Sequence, residues 1–315
     1  MATTEQLRML IKAHYSNKAE TFDSAALQVA AYEAKKGRES FARELKAIID
    51  KGKETRFLNE SRIKSDLIDF TDSTIRLSNM VLEETVKEKI EEIIEEFWSQ
   101  EKLEAYGMKN KRKILLSGPP GTGKTMTAHA LATELGMDLG IIQMDKMMTK
   151  FMGESNNKLR QIFDTIENYP AVYLFDEFDA IGGDRNSEND IGEVRRVLNS
   201  FLQLIENTNS TSLILAATNT VESLDRALFR RFDEIIVYGN LSHNQIAQLI
   251  KLNMNNFAIS EKDVKEISKK ADGLSQAEIV KIVEKTLKKA ILSKEEFSLN
   301  DDMSANIEQI KKFYI

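Results

Sequence analysis

Residues 118–125 read Gly-Pro-Pro-Gly-Thr-Gly-Lys-Thr, directly behind the apolar run Ile114-Leu115-Leu116. A chain with three prolines and fourteen glycines places two and three of them in these eight positions. The spacing Gly-x-x-x-x-Gly-Lys-Thr is that of a loop whose backbone curls around a phosphate and turns its N–H groups toward the oxygens. Gly121 and Gly123 allow the curl, and Gly118, Pro119, Pro120 and Thr122 complete the loop. From Thr125 to Leu135, the residues Met126, Ala130, Leu131 and Leu135 recur at helical spacing, so the loop lies between a buried strand and a helix start, where anions bind. Lys124 then reaches the terminal phosphates, and the Thr125 hydroxyl ligates the magnesium that travels with them. The alternative is an ordinary Gly/Pro turn, which the filled positions and the flanking strand and helix disfavour.

The 315 residues suffice for two or three compact units. Forty-four Lys and Arg against 50 Asp and Glu give a net charge of −6, which argues against a nucleic-acid partner bound through its phosphate backbone. The absence of cysteine excludes disulfides and thiolate metal sites. His14, His129 and His243 stand apart in sequence and lack ligand spacing. No basic-then-apolar leader opens the chain, and no run approaches the roughly twenty apolar residues of a membrane span. A cytoplasmic protein without membrane contact is therefore expected.

Residues 1–75 carry helical patterns, among them the stripe Phe41, Leu45, Ile48 and Ile49, and are read as a helical N-terminal region for recruitment or oligomerisation. Val86, Ile90, Ile93, Ile94 and Phe97 mark an amphipathic helix ahead of the phosphate loop. Strand-like apolar runs then recur at 113–117, 140–144, 171–176, 212–217 and 234–238, mostly separated by helical patterns. That alternation predicts an α/β fold, a P-loop αβα sandwich around a parallel sheet, over residues 76–239. A small helical lid over 240–293 and a tail over 294–315 complete the expected organisation.

Val172-Tyr173-Leu174-Phe175-Asp176-Glu177 is an apolar strand ending in two carboxylates. Ligands of such sheets sit beyond the carboxyl ends of the strands, so both acids face the phosphate loop. Asp176 is read as holding the magnesium and Glu177 as orienting and deprotonating the attacking water. Two solvated acids at a strand end are the alternative.

With these motifs in place, the run from Leu115 to about Leu292 resembles the AAA+ ATPases, and within them the AAA clade that acts on proteins. The resemblance implies hydrolysis of ATP with Mg2+. It matches Asn219, which ends the strand Leu213–Asn219, to the sensor that polarises the water. It also matches Leu224–Asp233 to the segment carrying arginine fingers, here Arg230 and Arg231 without the Pro-Gly that many relatives place between them. Fingers acting on a neighbour's nucleotide imply a homo-oligomer, with a hexamer expected. Lys150-Phe151-Met152-Gly153 resembles the aromatic pore loop of protein-translocating relatives, which implies a protein substrate gripped by Phe151 and Met152, with Gly153 supplying freedom. The alternative function is a nucleic-acid-linked factor, a loader or transposition helper. No His-Glu-x-x-His zinc site occurs in the sequence. The final Phe313-Tyr314-Ile315 resembles the tail by which proteasome-type ATPases dock on a separate peptidase ring, which makes a separate peptidase or adaptor a candidate partner; the alternative, favoured for so short a match, is a helix end whose aromatics pack on the protein's own helical domain.

Overall fold

The computed structural model describes residues 8, 10–11, 19–38, 41–43, 45–49, 67–144, 154–182, 188–220, 226–254, 257–292 and 298–312. The chain divides into two compact units, Met1–Ser65 and Asp66–Ile315. In the first unit, helix α1 (Ala19–Lys35) buries Ala25 and Ala30, and the buried Glu33 carboxylate accepts a hydrogen bond from Arg38 at 3.0 Å. Phe41 and Ile48 are exposed, so the stripe read there is not a buried face of this unit.

The second unit is built on a six-stranded sheet. Its elements run β1 (Asp69–Thr71), α2 (Glu84–Trp98), α3 (Gln100–Ala105), β2 (Lys113–Ser117), α4 (Lys124–Leu135), β3 (Leu139–Gln143), α5 (Glu154–Asn168), β4 (Val172–Asp176), α6 (Asp179–Gly182), α7 (Glu188–Asn207), β5 (Leu213–Thr218), α8 (Arg226–Phe229) and β6 (Glu234–Val237). The strand order is β1-β3-β4-β5-β2-β6. The last five are parallel, and β1 adds antiparallel at the edge, Phe70 opposite Gly140. This three-residue strand falls in the stretch read as helical, because backbone pairing at an edge needs little apolar patterning of its own.

The strands read as continuous apolar runs because both faces of the sheet are covered. Leu115, Ile142, Tyr173, Phe175 and Ala216 point into one core, shared with α5 and α7, while Ile114, Leu116, Leu174 and Leu215 point into the other, shared with α2 and α4. In the first core the rings of Phe163, Phe175, Phe178 and Phe201 stack edge and face, with centroids 4.7–5.7 Å apart. Each such ring contributes ~1.5–3 kcal/mol by leaving water. This packing buries β4 as far as Phe175, next to its acidic end.

Four further helices form a helical subdomain: α9 (His243–Asn253), α10 (Glu261–Lys270), α11 (Gln276–Leu292) and α12 (Leu299–Lys311). The hydroxyls of Ser242, Ser260 and Ser298 cap α9, α10 and α12 by accepting from N–H groups of their first turns. Residues 294–315 were expected as a tail, yet α12 drives Met303 and Ile307 into the core formed by Ile246, Ile250, Ile279 and Val283. The signals lie in the sequence, in Ser298-x-x-Asp301 ahead of apolar residues spaced four apart. Among the described residues no helix is long and apolar enough to cross a membrane.

Candidate functional site

Strand β2 ends at Ser117 and the chain enters the loop at Gly118, whose N–H donates to the Thr218 carbonyl at 3.3 Å. A Cβ on Gly118 would meet the Tyr238 carbonyl oxygen at 2.5 Å, so no side chain fits without displacing the next strand's backbone. Gly121 has φ +77°, and a Cβ there would lie 2.9 Å from the Ser275 hydroxyl at the start of α11. The Ala277 N–H donates to the Gly121 carbonyl at 3.1 Å, tying the helical subdomain to the loop. Thr122 is buried and closes the turn by donating to the Pro119 carbonyl at 2.8 Å, while Pro119 and Pro120 are exposed on its rim. Below the loop, the hydroxyls of Thr127 and Tyr238 pair at 2.6 Å in the core, and burial pushes the Tyr238 phenol well above its ordinary pKa.

Helix α4 starts at Lys124 behind Gly123, with Met126 half-buried in its first turn. Lys124 is 8% exposed, and its ammonium donates to the Gly118 carbonyl at 2.7 Å, the Pro119 carbonyl at 2.9 Å and Asn219 Oδ1 at 2.9 Å. Burial pushes its pKa below the ordinary lysine range, against the opposing attraction of Asp176 and Asp179. The Thr125 hydroxyl donates to Asp176 Oδ2 at 3.2 Å. The ends of β2, β4 and β5 thus bring Lys124, Thr125, Asp176 and Asn219 into one network.

Glu177 extends from the same strand end and is exposed. Among the described residues it is the one non-glycine with positive φ, +53°. Its N–H donates to Asp176 Oδ1 at 2.9 Å, its carbonyl accepts from Ala180 N–H at 2.9 Å, and the next N–H, of Phe178, donates to the Ala217 carbonyl at 2.8 Å. These bonds hold a backbone conformation that costs an ordinary residue ~1 kcal/mol or more.

The structure does not join Arg230 and Arg231 to this network. The Asp233 N–H donates to the Lys113 carbonyl at 2.7 Å, which fixes the arginine pair at the N-terminal end of the parallel strands. A five-residue strand, roughly 15 Å, lies between them and the loop of the same chain. Arg230 is exposed, and Arg231 lies with its Nε 3.5 Å from Glu206 Oε2. Phe151, Met152 and Gly153 lie outside the described residues, as do Phe313, Tyr314 and Ile315.

Asp179 escaped the sequence reading. It begins α6, its Oδ1 lies 3.4 Å from the Asn219 N–H, and it attracts the Lys124 ammonium. The spacing Asp176-x-x-Asp179 at a strand end was the available signal. Met80 and Gln276 were also missed: their side chains approach within 3.6 and 3.7 Å of a Cβ built on Gly123. Tertiary packing alone brings them there.

A family description, ATPase family associated with various cellular activities (AAA), matches residues 114–240, the span from β2 to just past β6. The chain belongs to the AAA ATPases. As an AAA ATPase it binds nucleotide and hydrolyses ATP. It is 29% identical, over 93% of its own length and 91% of the relative's, to an uncharacterized AAA family ATPase, y4kL, of Sinorhizobium fredii. It is also similar to the ATP-dependent zinc metalloprotease FtsH of Lactiplantibacillus plantarum, 30% identical over 72% of this chain. A third relative is the mitochondrial inner membrane i-AAA protease supercomplex subunit YME1 of Saccharomyces cerevisiae, 29% identical over 79% of this chain. This AAA ATPase spans 32% of that FtsH and 34% of YME1.

Proposed function

We propose that this AAA ATPase is a ring-forming motor that uses ATP hydrolysis to remodel, unfold or translocate protein substrates. Its phosphate loop, Gly118 to Thr125, cradles the nucleotide phosphates, and Lys124 moves its ammonium from loop carbonyls to the terminal phosphates. Thr125 and Asp176 offer one hydroxyl and one carboxylate oxygen within 3.2 Å of each other. That sparse, hard-oxygen set fits Mg2+, which keeps several waters and phosphate oxygens of its own. When bound, the ion neutralises charge on the transferring phosphoryl group. Glu177 takes the proton of the attacking water, and Asn219 orients that water from the neighbouring strand end. Asp179 steadies the backbone of Asn219.

The observation that carries the assembly is the position of Arg230 and Arg231, a strand's length from their own loop and accessible to a neighbour's. A guanidinium supplied in trans neutralises transition-state charge, an effect of about a thousandfold or more in rate. In mixed rings, Arg231→Ala subunits should therefore depress the ATPase rate of wild-type neighbours more than in proportion to their share. A linear fall with the mutant fraction, measured by phosphate release across mixing ratios, refutes the trans finger. The pair is exposed at Arg230 and braced at Arg231 by Glu206, so both are assigned to this face, and a hexamer is the expected ring.

The protein substrate is supported by the likeness to FtsH and YME1, whose names describe proteases, and by the Phe151-Met152-Gly153 sequence. A cytoplasmic location fits a cysteine-free chain that depends on ATP. The N-terminal residues 1–75 are assigned to recruitment or oligomerisation, residues 76–239 to the ATPase domain and 240–293 to its lid. Phe151 grips substrate without touching nucleotide in this reading. Phe151→Ala should leave basal ATPase within a few-fold of wild type and abolish unfolding of a tagged fluorescent client, followed by loss of fluorescence. Normal unfolding by that variant overturns the pore-loop assignment.

A further inference from the structure

A cavity of about 520 Å³ opens at the end of the sheet away from the phosphate loop, lined in part by Lys109, Asn110, Lys113, Glu206, Ser210 and Asp233. Its volume falls in the range of small-molecule sites. Glu104 and Arg112 also line it, so three carboxylates face three cations and no net charge steers a ligand in. What distinguishes the lining is which groups already have partners.

The carboxylates are engaged. Asp233 Oδ2 accepts the backbone N–H groups of Arg112 at 2.8 Å and Lys113 at 2.9 Å, Glu206 faces Arg231, and Glu104 accepts from Gln100 at 3.0 Å. The Arg112 guanidinium is engaged too, donating to Asn110 Oδ1 at 3.0 Å and to the Ser210 carbonyl. The donors Lys113 and Asn110 differ. Lys113 is half-buried, and neither it nor the exposed Lys109 has an ion pair among the described residues. Asn110 is 5% exposed, its Oδ1 taken by Arg112, and its Nδ2 has no hydrogen-bond partner. A buried amide donor left unmatched is rare, because desolvation is then uncompensated.

We propose that this cavity binds a small oxyanion, a carboxylate or a phosphate monoester, held between the Lys113 ammonium and the Asn110 amide with Lys109 at the rim. One anionic group supplies the acceptors that both donors lack, in charge-assisted hydrogen bonds stronger than neutral ones. Burial pushes the Lys113 pKa below the ordinary lysine range, against the attraction of Asp233 and Glu206 and with a smaller push from Lys109, and an anion beside the ammonium offsets that cost. No residue of the phosphate loop lines the cavity, so the site is separate from the phosphate loop of the same chain.

The test is calorimetric titration of the full chain with succinate and with inorganic phosphate, each in excess Mg2+ and saturating ADP so that the nucleotide site is filled. At least one probe is expected to bind one site per chain, and which of the two binds names the source of the oxyanion. Lys113→Met should weaken that binding by about tenfold, the loss of one charge-assisted hydrogen bond. Asn110→Asp keeps the acceptor for Arg112 and sets a carboxylate against the anion, so it should abolish binding even if Lys113→Met fails to fold. Absence of binding by both probes at tens of millimolar overturns the proposal, as does affinity unchanged in Asn110→Asp.

Discussion

Lys124→Ala should lose ATP affinity by about a hundredfold or more, the ~3 kcal/mol or greater cost of truncating one partner of a desolvated, hydrogen-bonded charge pair. The Lys124 ammonium is 8% exposed and held by three acceptors, two of them carbonyls of the loop that curls around the phosphates. In the proposed role, alanine removes both the charge that meets the phosphates and the clamp that shapes the loop. The same burial that lowers the Lys124 pKa means that the fold holds this ammonium at a cost. For a base whose folded pKa is depressed, that cost is present below the folded pKa and disappears above the unfolded one. At neutral pH the substitution removes the cost while taking the ammonium from the Gly118 carbonyl, the Pro119 carbonyl keeping the Thr122 hydroxyl, two effects of opposite sign. The nucleotide-free variant should thus melt within a few degrees of wild type, which separates lost binding from lost folding. Equal ATP affinity of wild type and Lys124→Ala by calorimetry contradicts this role for Lys124.

Much of the sheet was legible because its strands are covered on both faces. Runs such as Ile114-Leu115-Leu116 and Val172 to Phe175 need apolar residues at every position, and no amphipathic element shares that pattern. The phosphate loop was legible for a related reason. Gly118 is pressed against the Tyr238 carbonyl and Gly121 against Ser275, so the backbone there tolerates few residue types. What the pattern left out lacks such constraints. The edge strand Asp69–Thr71 is held by backbone pairing to Leu139–Ile141, which any sequence can make. Helix α12 was signalled by its Ser298 cap and by Met303 and Ile307, but at the end of a chain those few residues were read as a tail. Met80 and Gln276 reach the phosphate loop from separate elements, and sequence spacing carries no record of that convergence.

Glu177→Gln should bind ATP as tightly as wild type or tighter, yet hydrolyse it about a hundred- to ten-thousandfold more slowly, the range by which a positioned general base accelerates proton transfer. The amide is isosteric with the carboxylate but cannot take the proton of the attacking water. Removing a negative charge near the terminal phosphate also relieves a repulsion, which is why affinity holds or rises. The backbone supports the assignment. Glu177 occupies φ +53°, where glycine is at ease and glutamate is strained, and three hydrogen bonds maintain the conformation: Glu177 N–H to the Asp176 carboxylate, Ala180 N–H to the Glu177 carbonyl and Phe178 N–H to the Ala217 carbonyl. A residue with no task there would be better replaced by glycine, so Glu177→Gly should match or exceed the thermal stability of wild type while also losing turnover. Phosphate release, ATP titration and thermal melting of the two variants together decide the matter. Hydrolysis by Glu177→Gln at the wild-type rate excludes Glu177 as the base, whereas a slow variant that loses ATP affinity assigns Glu177 to nucleotide binding instead.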